Sequence, residues 1–282
     1  MKVGNFAIAY VNIIPEEDHT MPAQPGLAYT FNTAVDAYDR CRPTYPAELY
    51  HDLFSYMSAP PAPGMTAVEI GIGTGQATRP ILDAGCTVAA VELGDAMTAF
   101  VRQKFSDCPN FSCINQPFEE TGFPPSSCDL VYSASAFHWI PEEIGYKKVF
   151  DMLRPGGVFA RFANHPYYDP EQPELFDAMQ KVYAVYMPGS RPGGEYTAEQ
   201  AMARAEIAGK YGFCDIGYRL YHRTRMFSAD DYIALLGTYS DHIAIPQPQR
   251  TQFFSGLYRV ISAFGGITLF DTIDLQLARK PL

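Results

Sequence analysis

The chain has 282 residues, of which 47% are hydrophobic and 18% are charged. This length and composition suffice for one large α/β domain and exclude an intrinsically disordered chain. The net charge of −10 argues against non-specific binding to a nucleic-acid backbone, since such binding needs a basic surface.

An N-terminal arm, residues 1–30, precedes the predicted domain. Its apolar run, residues 3–14, is shorter than the roughly 20 residues that a membrane-spanning helix needs. Three acidic residues follow at positions 16–18, a pattern that is poor for a signal peptide. We therefore expect an accessory strand or helix that packs on the domain or on a second subunit.

A helix is predicted over residues 44–58, and alternating strands and helices follow it. In the helix, Tyr45, Leu49, Leu53 and Met57 recur every four residues. Between residues 65 and 162 the alternation is typical of βαβ units on a parallel sheet. The predicted strands are 66–70, 87–92, 111–116, 128–133 and 157–162. The predicted helices begin near Gln76, Asp95, Pro141 and Glu174.

The composition changes after the fifth predicted strand. Residues 165–212 are rich in Pro, Gly and Tyr and include a helical run at 197–211, which indicates an inserted helical lid. Residues 216–227 alternate as a strand does, residues 228–238 predict a helix, and residues 267–279 predict the last strand.

The segment 67–76, Ala-Val-Glu-Ile-Gly-Ile-Gly-Thr-Gly-Gln, carries the main functional signal. A buried strand enters a glycine-rich turn that opens a helix, so the backbone can approach a ligand closely and offer free N–H groups. Dinucleotide sites use G-x-G-x-x-G, but Gln76 stands where the third glycine would fall. Glu69 would repel a pyrophosphate and suits a cation, which favours a sulfonium ligand with an α-amino group.

The next predicted strand ends in a carboxylate. Glu92 lies 21 positions after Gly71, at the place where an acidic residue binds the ribose hydroxyls of an adenosyl ligand. The glycine turn and this carboxylate are weak signals alone and strong ones together.

Several segments resemble the class I S-adenosylmethionine-dependent methyltransferases. Residues 68–75 resemble motif I of that family, and Glu92 resembles its acidic ribose ligand. The segments at 123–131 and 153–157 resemble the lead into its fourth strand and the turn before its fifth. The motif Y-D-x-x-R-P-x-Y-P at 38–46 resembles the segment before motif I in the type 11 small-molecule branch.

The resemblance covers residues 31–165 well and the final strand more loosely. It implies an α/β fold with a Rossmann-like, seven-stranded, mostly parallel sheet and helices on both faces, to which the composition of residues 165–212 adds a helical lid. The expected organisation is an arm (1–30), a cofactor-binding core (31–165), a lid and substrate insertion (166–215) and a C-terminal completion of the sheet (216–282).

The resemblance also assigns cofactor contacts. The methionine moiety would contact Glu69, Gly71, Gly73 and Gly75. The ribose would contact Glu92. The adenine would contact Leu93, Met97, Phe118 and Glu119, and Ser133 and Ala134 would lie under the cofactor. Tyr38 and Arg42 would close over its carboxylate. The adenine loop departs from the family pattern, because Gln116-Pro117-Phe118 stands where an Asp usually precedes a small residue.

Three further features have two readings each. His138 is either a general base for the acceptor or a structural histidine at a helix start. The tyrosines at 167, 168, 183 and 186 either line an acceptor pocket or belong to the core. The arginines at 219, 223 and 225 share one strand face, either as a solvated edge or as an anchor for an anionic substrate.

The expected reaction is in-line methyl transfer from S-adenosyl-L-methionine to a small molecule, without a metal. The alternatives are a catalytically silent adenosyl-binding regulatory module and a nicotinamide-dependent oxidoreductase. Six cysteines without a CxxC pair suggest reduced thiols and a cytoplasmic protein. We expect a monomer or homodimer that binds neither nucleic acid nor membranes.

Overall fold

The computed structural model describes residues 35–57, 59–190 and 193–282. The expected N-terminal arm lies outside the described residues. The first described elements are two helices, α1 (Val35–Cys41) and α2 (Ala47–Tyr56), of which α2 confirms the helix predicted at 44–58. Leu49 and Leu53 of α2 are fully buried, as the four-residue spacing predicts.

Five apolar runs form the parallel part of the sheet. These strands are β1 (Thr66–Ile70), β2 (Thr87–Glu92), β3 (Phe111–Asn115), β4 (Cys128–Ala134) and β5 (Leu153–Tyr168). The intervening helices are α3 (Arg79–Asp83), α4 (Asp95–Lys104) and α5 (Glu142–Met152). The predicted bounds of β1 and β2 are confirmed, because a strand buried on both faces is a continuous apolar run.

The described part of the C-terminal half adds two strands and five α-helices. The helices are α6 (Pro173–Tyr186), α7 (Ala198–Glu206), α8 (Ala229–Leu236), α9 (Ser240–Ile243) and α10 (Gln249–Ala263). The strands are β6 (Cys214–Phe227) and β7 (Ile267–Arg279). Helix α1 carries Tyr38, at the place where the resemblance implies an N-terminal helix. Helices α9 and α10 have no counterpart in the sequence analysis, although Phe253, Leu257 and Ile261 of α10 show a helical spacing.

Within the described residues, the sheet has seven strands in the order β3-β2-β1-β4-β5-β7-β6. The strands β1 to β5 pair in parallel, and β7 is antiparallel to both β5 and β6. One face packs on residues of α2, α3 and α4, and the other packs on α5 and a 3-10 helix, Ile207–Tyr211. The mostly parallel, Rossmann-like α/β fold is therefore confirmed.

Strand β5 is longer than the predicted strand 157–162. It continues to Tyr168 because it pairs with β7 as far as the Tyr168–Leu269 register. The sequence hides this extension, since it holds Pro166 and polar residues that only the β7 ladder keeps extended. Residues 166–168, expected at the start of the lid, are therefore part of the sheet.

The helices of the expected lid pack on two different parts of the molecule. Buried residues of α6 join α8 and α10 in one hydrophobic cluster, whereas α7 lies against β6 and β7. Closure of this segment over a site stays a prediction. None of the helices within the described ranges is long and apolar enough to cross a membrane.

Candidate functional site

A cavity of about 290 Å³ opens where the glycine turn, the end of β2 and the end of β4 meet. Ligands of open α/β sheets bind at this carboxyl edge, where the strand order reverses. Ten of the predicted cofactor residues line the cavity, namely Tyr38, Arg42, Gly71, Gly73, Glu92, Leu93, Met97, Phe118, Glu119 and Ala134. The sequence motifs thus converge on one site.

The glycine turn needs its glycines for two reasons. Gly71 and Gly73 have φ angles of 69° and 57°, which L side chains rarely adopt. A Cβ atom at Gly71 would also lie 2.4 Å from the Cβ of Ala136, so no side chain fits between β1 and the end of β4. The backbone of this turn therefore forms the cavity wall itself.

Glu92 holds its carboxylate at the cavity wall. Its Oε2 accepts a hydrogen bond of 2.9 Å from the Gly73 N–H, and its Oε1 accepts one of 2.9 Å from the Gly94 N–H. Burial raises the pKa of Glu92, and the backbone hydrogen bonds oppose that rise. The side chain is thus pinned against the turn and presents an acceptor to a ligand.

Glu69 lies beneath the turn and is not among the cavity-lining residues. Its Oε2 accepts hydrogen bonds from the Thr78 hydroxyl at 2.7 Å and from the Tyr132 hydroxyl at 2.8 Å. Burial raises its pKa to about 7, although the two hydroxyl groups oppose this shift. Glu69 supports the turn from below, and its direct contact with the methionine moiety stays a prediction.

Gly75 and Ser133 are also absent from the lining of the cavity. A Cβ atom at Gly75 would lie 2.6 Å from the Phe105 ring, so this glycine serves the packing of α4. The hydroxyl of Ser133 donates to the Ile70 carbonyl at 2.9 Å and ties β4 to β1. Both residues shape the site from below instead of lining it.

Helix α1 closes one side of the cavity. The Tyr38 ring lies 3.5 Å from the place of a Cβ atom on Gly73. Arg42 donates to the Thr238 hydroxyl and carbonyl, each at 2.9 Å, and its guanidinium lies 4.2 Å from the Tyr239 ring centre. Arg42 therefore joins the cavity to the segment after α8.

The exit of β4 forms another wall, and the sequence analysis did not name Ser135, Ala136 or Ile140, which belong to it. Ser135 has a φ of 52°, an uncommon conformation for a residue other than glycine. Its hydroxyl lies 3.0 Å from the Tyr45 hydroxyl. With Ser135, the lining includes Ala136, Trp139 and Ile140. In the sequence, the signal for this wall is its position directly after a buried strand.

His138 lies in the 3-10 helix Phe137–Trp139 beside this wall. It is half-buried, its ring lies 5.0 Å from the Trp139 ring, and it is not a lining residue of the cavity. Its role as a base stays a prediction.

The predicted tyrosine pocket and arginine face have other partners. The Tyr168 hydroxyl lies 2.7 Å from the Tyr232 hydroxyl, and the Tyr183 hydroxyl lies 3.0 Å from His242 Nε2. Arg223 and Arg225 bind the buried carboxylate of Asp271 at 3.0 Å and 2.5 Å. Neither a solvated edge nor a free anion anchor describes these two arginines.

Comparisons with known proteins agree with this fold. A family model described as a methyltransferase domain matches residues 68–161. An uncharacterised methyltransferase of Schizosaccharomyces pombe is 26% identical over 88% of this chain and 93% of its own length. A structure of a putative type II methyltransferase from Anaeromyxobacter dehalogenans is 21% identical, with a TM-score of 0.57 over 86% of this chain and 99% of its own.

A second structure is phosphoethanolamine N-methyltransferase 2 of Haemonchus contortus, in complex with phosphomonomethylethanolamine and S-adenosylhomocysteine. It is 19% identical, with a TM-score of 0.51 over 89% of this chain and 58% of its own. At this identity, the likeness concerns the fold.

Proposed function

The chain belongs to the class I S-adenosylmethionine-dependent methyltransferases, and on this premise we propose that it methylates a small-molecule acceptor. The observation that carries the proposal is the position of Glu92 at the cavity wall, bonded to the glycine turn. A carboxylate there accepts ribose hydroxyls, and the glycines of the turn leave room for the rest of an adenosyl ligand.

The residues of the cavity fit S-adenosylmethionine. The absence of a side chain at Gly73 leaves a space under the Tyr38 ring that a Cβ atom would fill. Arg42 is the cation at the end of the cavity where a ligand carboxylate would lie. Leu93, Met97 and Phe118 offer apolar surface for the adenine.

Catalysis in this site would rest on alignment and on exclusion of water. S-adenosylmethionine supplies, when bound, an electrophilic methyl group on a sulfonium. The glycine turn at Gly71 and Gly73 would orient the methyl donor. The wall formed by Ser135 and Trp139 would position the acceptor for in-line attack on the methyl group. His138, beside that wall, would accept a proton from the acceptor.

The remaining expectations concern context. A cytoplasmic location and a monomeric or homodimeric state stay predictions. All six cysteines are free thiols, which accords with a reducing compartment. The acceptor is proposed to be small because the net charge of −10 argues against a nucleic-acid substrate.

Calorimetric titration of the purified chain with S-adenosylhomocysteine tests the cofactor assignment. We expect binding by the parent and a large loss in Gly73→Val, because a β-branched side chain at positive φ strains the turn and occupies ligand space. Gly122→Val is the matched control, since a Cβ atom there meets nothing within 4 Å.

Tight binding of NADH with no heat from S-adenosylhomocysteine would contradict the assignment. Equal affinities of Gly73→Val and the parent would remove the glycine turn from the site. Turnover of radiolabelled S-adenosylmethionine with a panel of small acceptors then identifies the methylated product.

A further inference from the structure

Two buried carboxyl groups flank the glycine turn that forms the cavity wall. Glu69 is 1% exposed and lies beneath the turn, two positions before Gly71. Glu92 accepts a hydrogen bond from the Gly73 N–H at the wall of the cavity. A buried carboxylate costs free energy unless a cation or a full set of hydrogen bonds compensates it. The charge balance around the turn therefore decides which ligand the cavity favours.

The surroundings of Glu69 supply hydrogen bonds and no positive charge. Its Oε2 accepts from the Thr78 and Tyr132 hydroxyls, whereas its Oε1 accepts from no group in the described part of the chain. No cationic side chain within residues 35–57, 59–190 and 193–282 forms an ion pair with it. The titratable groups that face it come from α2, β2, β3 and β4 and are Tyr50, Glu92, Cys113 and Tyr132.

Two lysines next to the site have other partners. Lys104 Nζ donates to the Thr74 carbonyl at 2.9 Å and pairs with the Asp39 carboxylate at 2.6 Å. Lys148 Nζ donates to the Glu119 carbonyl at 2.9 Å. Neither lysine bonds the two buried carboxyl groups, so neither neutralises them.

The side chains that line the cavity carry more negative than positive charge. One of them is cationic, Arg42, and it donates to the Thr238 hydroxyl and carbonyl. Two of them are acidic, Glu92 and Glu119. With Glu69 beneath the turn, three carboxyl groups surround a cavity that one guanidinium adjoins. A cationic ligand in the cavity therefore improves the charge balance.

The ionisation of Glu69 is coupled to such a ligand. Burial raises the pKa of Glu69 to about 7 and the charge of Glu92 adds to the rise, although the Thr78 and Tyr132 hydrogen bonds oppose it. Below this pH the site without ligand keeps the proton on Glu69. A positive charge in the cavity favours the carboxylate, so binding of a cation drives this proton into the solvent.

The methyl donor and its product differ in this charge. S-adenosylmethionine carries a sulfonium, whereas S-adenosylhomocysteine carries a neutral thioether and shares the rest of the structure. We propose that Glu69 acts through the turn as the charge partner of the sulfonium and makes the site prefer the donor over the product. The interaction is electrostatic, so it requires no contact across the turn. The inference rests on the proposed function.

The test compares the two ligands on the full chain by calorimetry. The dissociation constants of S-adenosylmethionine and S-adenosylhomocysteine are measured at pH 6 and pH 8. We expect the preference for the donor to increase up to about ten-fold from pH 6 to pH 8, because Glu69 passes from acid to carboxylate in this range. The α-amino group also titrates near pH 8, but both ligands carry it and its effect cancels in the ratio.

Three variants identify the group that titrates. Glu69→Gln keeps an oxygen for the two hydroxyls but cannot ionise, so its donor preference should not change with pH. Tyr132→Phe removes a hydroxyl that favours the carboxylate, so the midpoint of the change should move to higher pH. The control is Glu120→Gln, an exposed change that should keep the profile of the parent.

The outcomes separate this inference from the proposed function. A parent that binds neither ligand rejects the proposed function. A parent that binds both with the same ratio at pH 6 and pH 8 overturns the role of Glu69, and so does an unchanged pH dependence in Glu69→Gln. If Glu69→Gln does not fold, the midpoint in Tyr132→Phe decides, and a midpoint equal to that of the parent overturns the inference.

Discussion

Glu69 carries a carboxyl group whose folded environment opposes ionisation. Burial raises its pKa from 4.5 to about 7, so between these values the unfolded chain loses this proton while the folded chain keeps it. The folded state therefore loses stability from this group as pH rises from 4.5, and the loss is complete above 7. Its size is about 3 kcal/mol, at 1.36 kcal/mol per pKa unit.

Urea unfolding of Glu69→Gln beside the parent checks this pH dependence. Glutamine keeps an oxygen for the Thr78 and Tyr132 hydroxyls but does not titrate. We expect the parent to lose about 3 kcal/mol relative to the variant between pH 4 and pH 8. Parallel plots of unfolding free energy against pH for the two proteins would show that the pKa of Glu69 is the same in the folded and unfolded states.

His138 is the residue that we place on the acceptor side of the site. His138→Ala should leave S-adenosylhomocysteine affinity nearly unchanged and lower turnover about 10²–10⁴-fold if the imidazole is the base. The matched control is His222→Ala, because His222 is exposed on β6. Unchanged turnover in His138→Ala would return this histidine to a structural role.

Helix α1 depends on the rest of the fold. It has seven residues, none of them buried, and so short a helix is unstable alone. Its position comes from long-range contacts, among them the 2.6 Å ion pair between Asp39 and Lys104 and the bonds from Arg42 to Thr238. The element that covers the cavity is thus held by α4 and by the segment after α8.

Arg42→Met should weaken S-adenosylhomocysteine binding roughly ten-fold, since it removes charge-assisted bonds and keeps an apolar stem. Arg40→Met, an exposed change close to the end of the same helix, is the control. Thr238→Val removes the hydroxyl that accepts from Arg42 and leaves the lining of the cavity unchanged. A smaller loss of affinity in this variant would show that Arg42 contributes in part by anchoring α1. If calorimetry finds one dissociation constant for all of these proteins, α1 does not contribute to the site.

At the scale of the whole molecule, the C-terminal helices form a second layer on the extended sheet. Leu175 and Met179 of α6 pack with Phe253 and Leu257 of α10 in one buried cluster. Extension of β5 and β7 beyond the parallel strands gives this layer its support. The C-terminal helices, which lie outside the part of the chain that the resemblance covers well, are therefore packed on the same sheet as the cofactor-binding core.

The sequence alone determined the strands β1 and β2, the glycine turn and the carboxylate of Glu92. These features are local: an apolar run predicts a buried strand, and glycines close together predict a tight turn wherever the rest of the chain lies. The ends of adjacent parallel strands then meet at one edge, which places Glu92 beside Gly73.

Only the tertiary structure decided which of these residues face the cavity. Glu69 belongs to the same motif as Gly71, yet its side chain is bonded to Tyr132, 63 residues away, and lies beneath the turn. Arg225 and Asp271 are 46 residues apart and neutralise each other across β6 and β7. Side-chain partners that come from distant strands depend on strand order and register, and residue spacing within one segment does not contain that information.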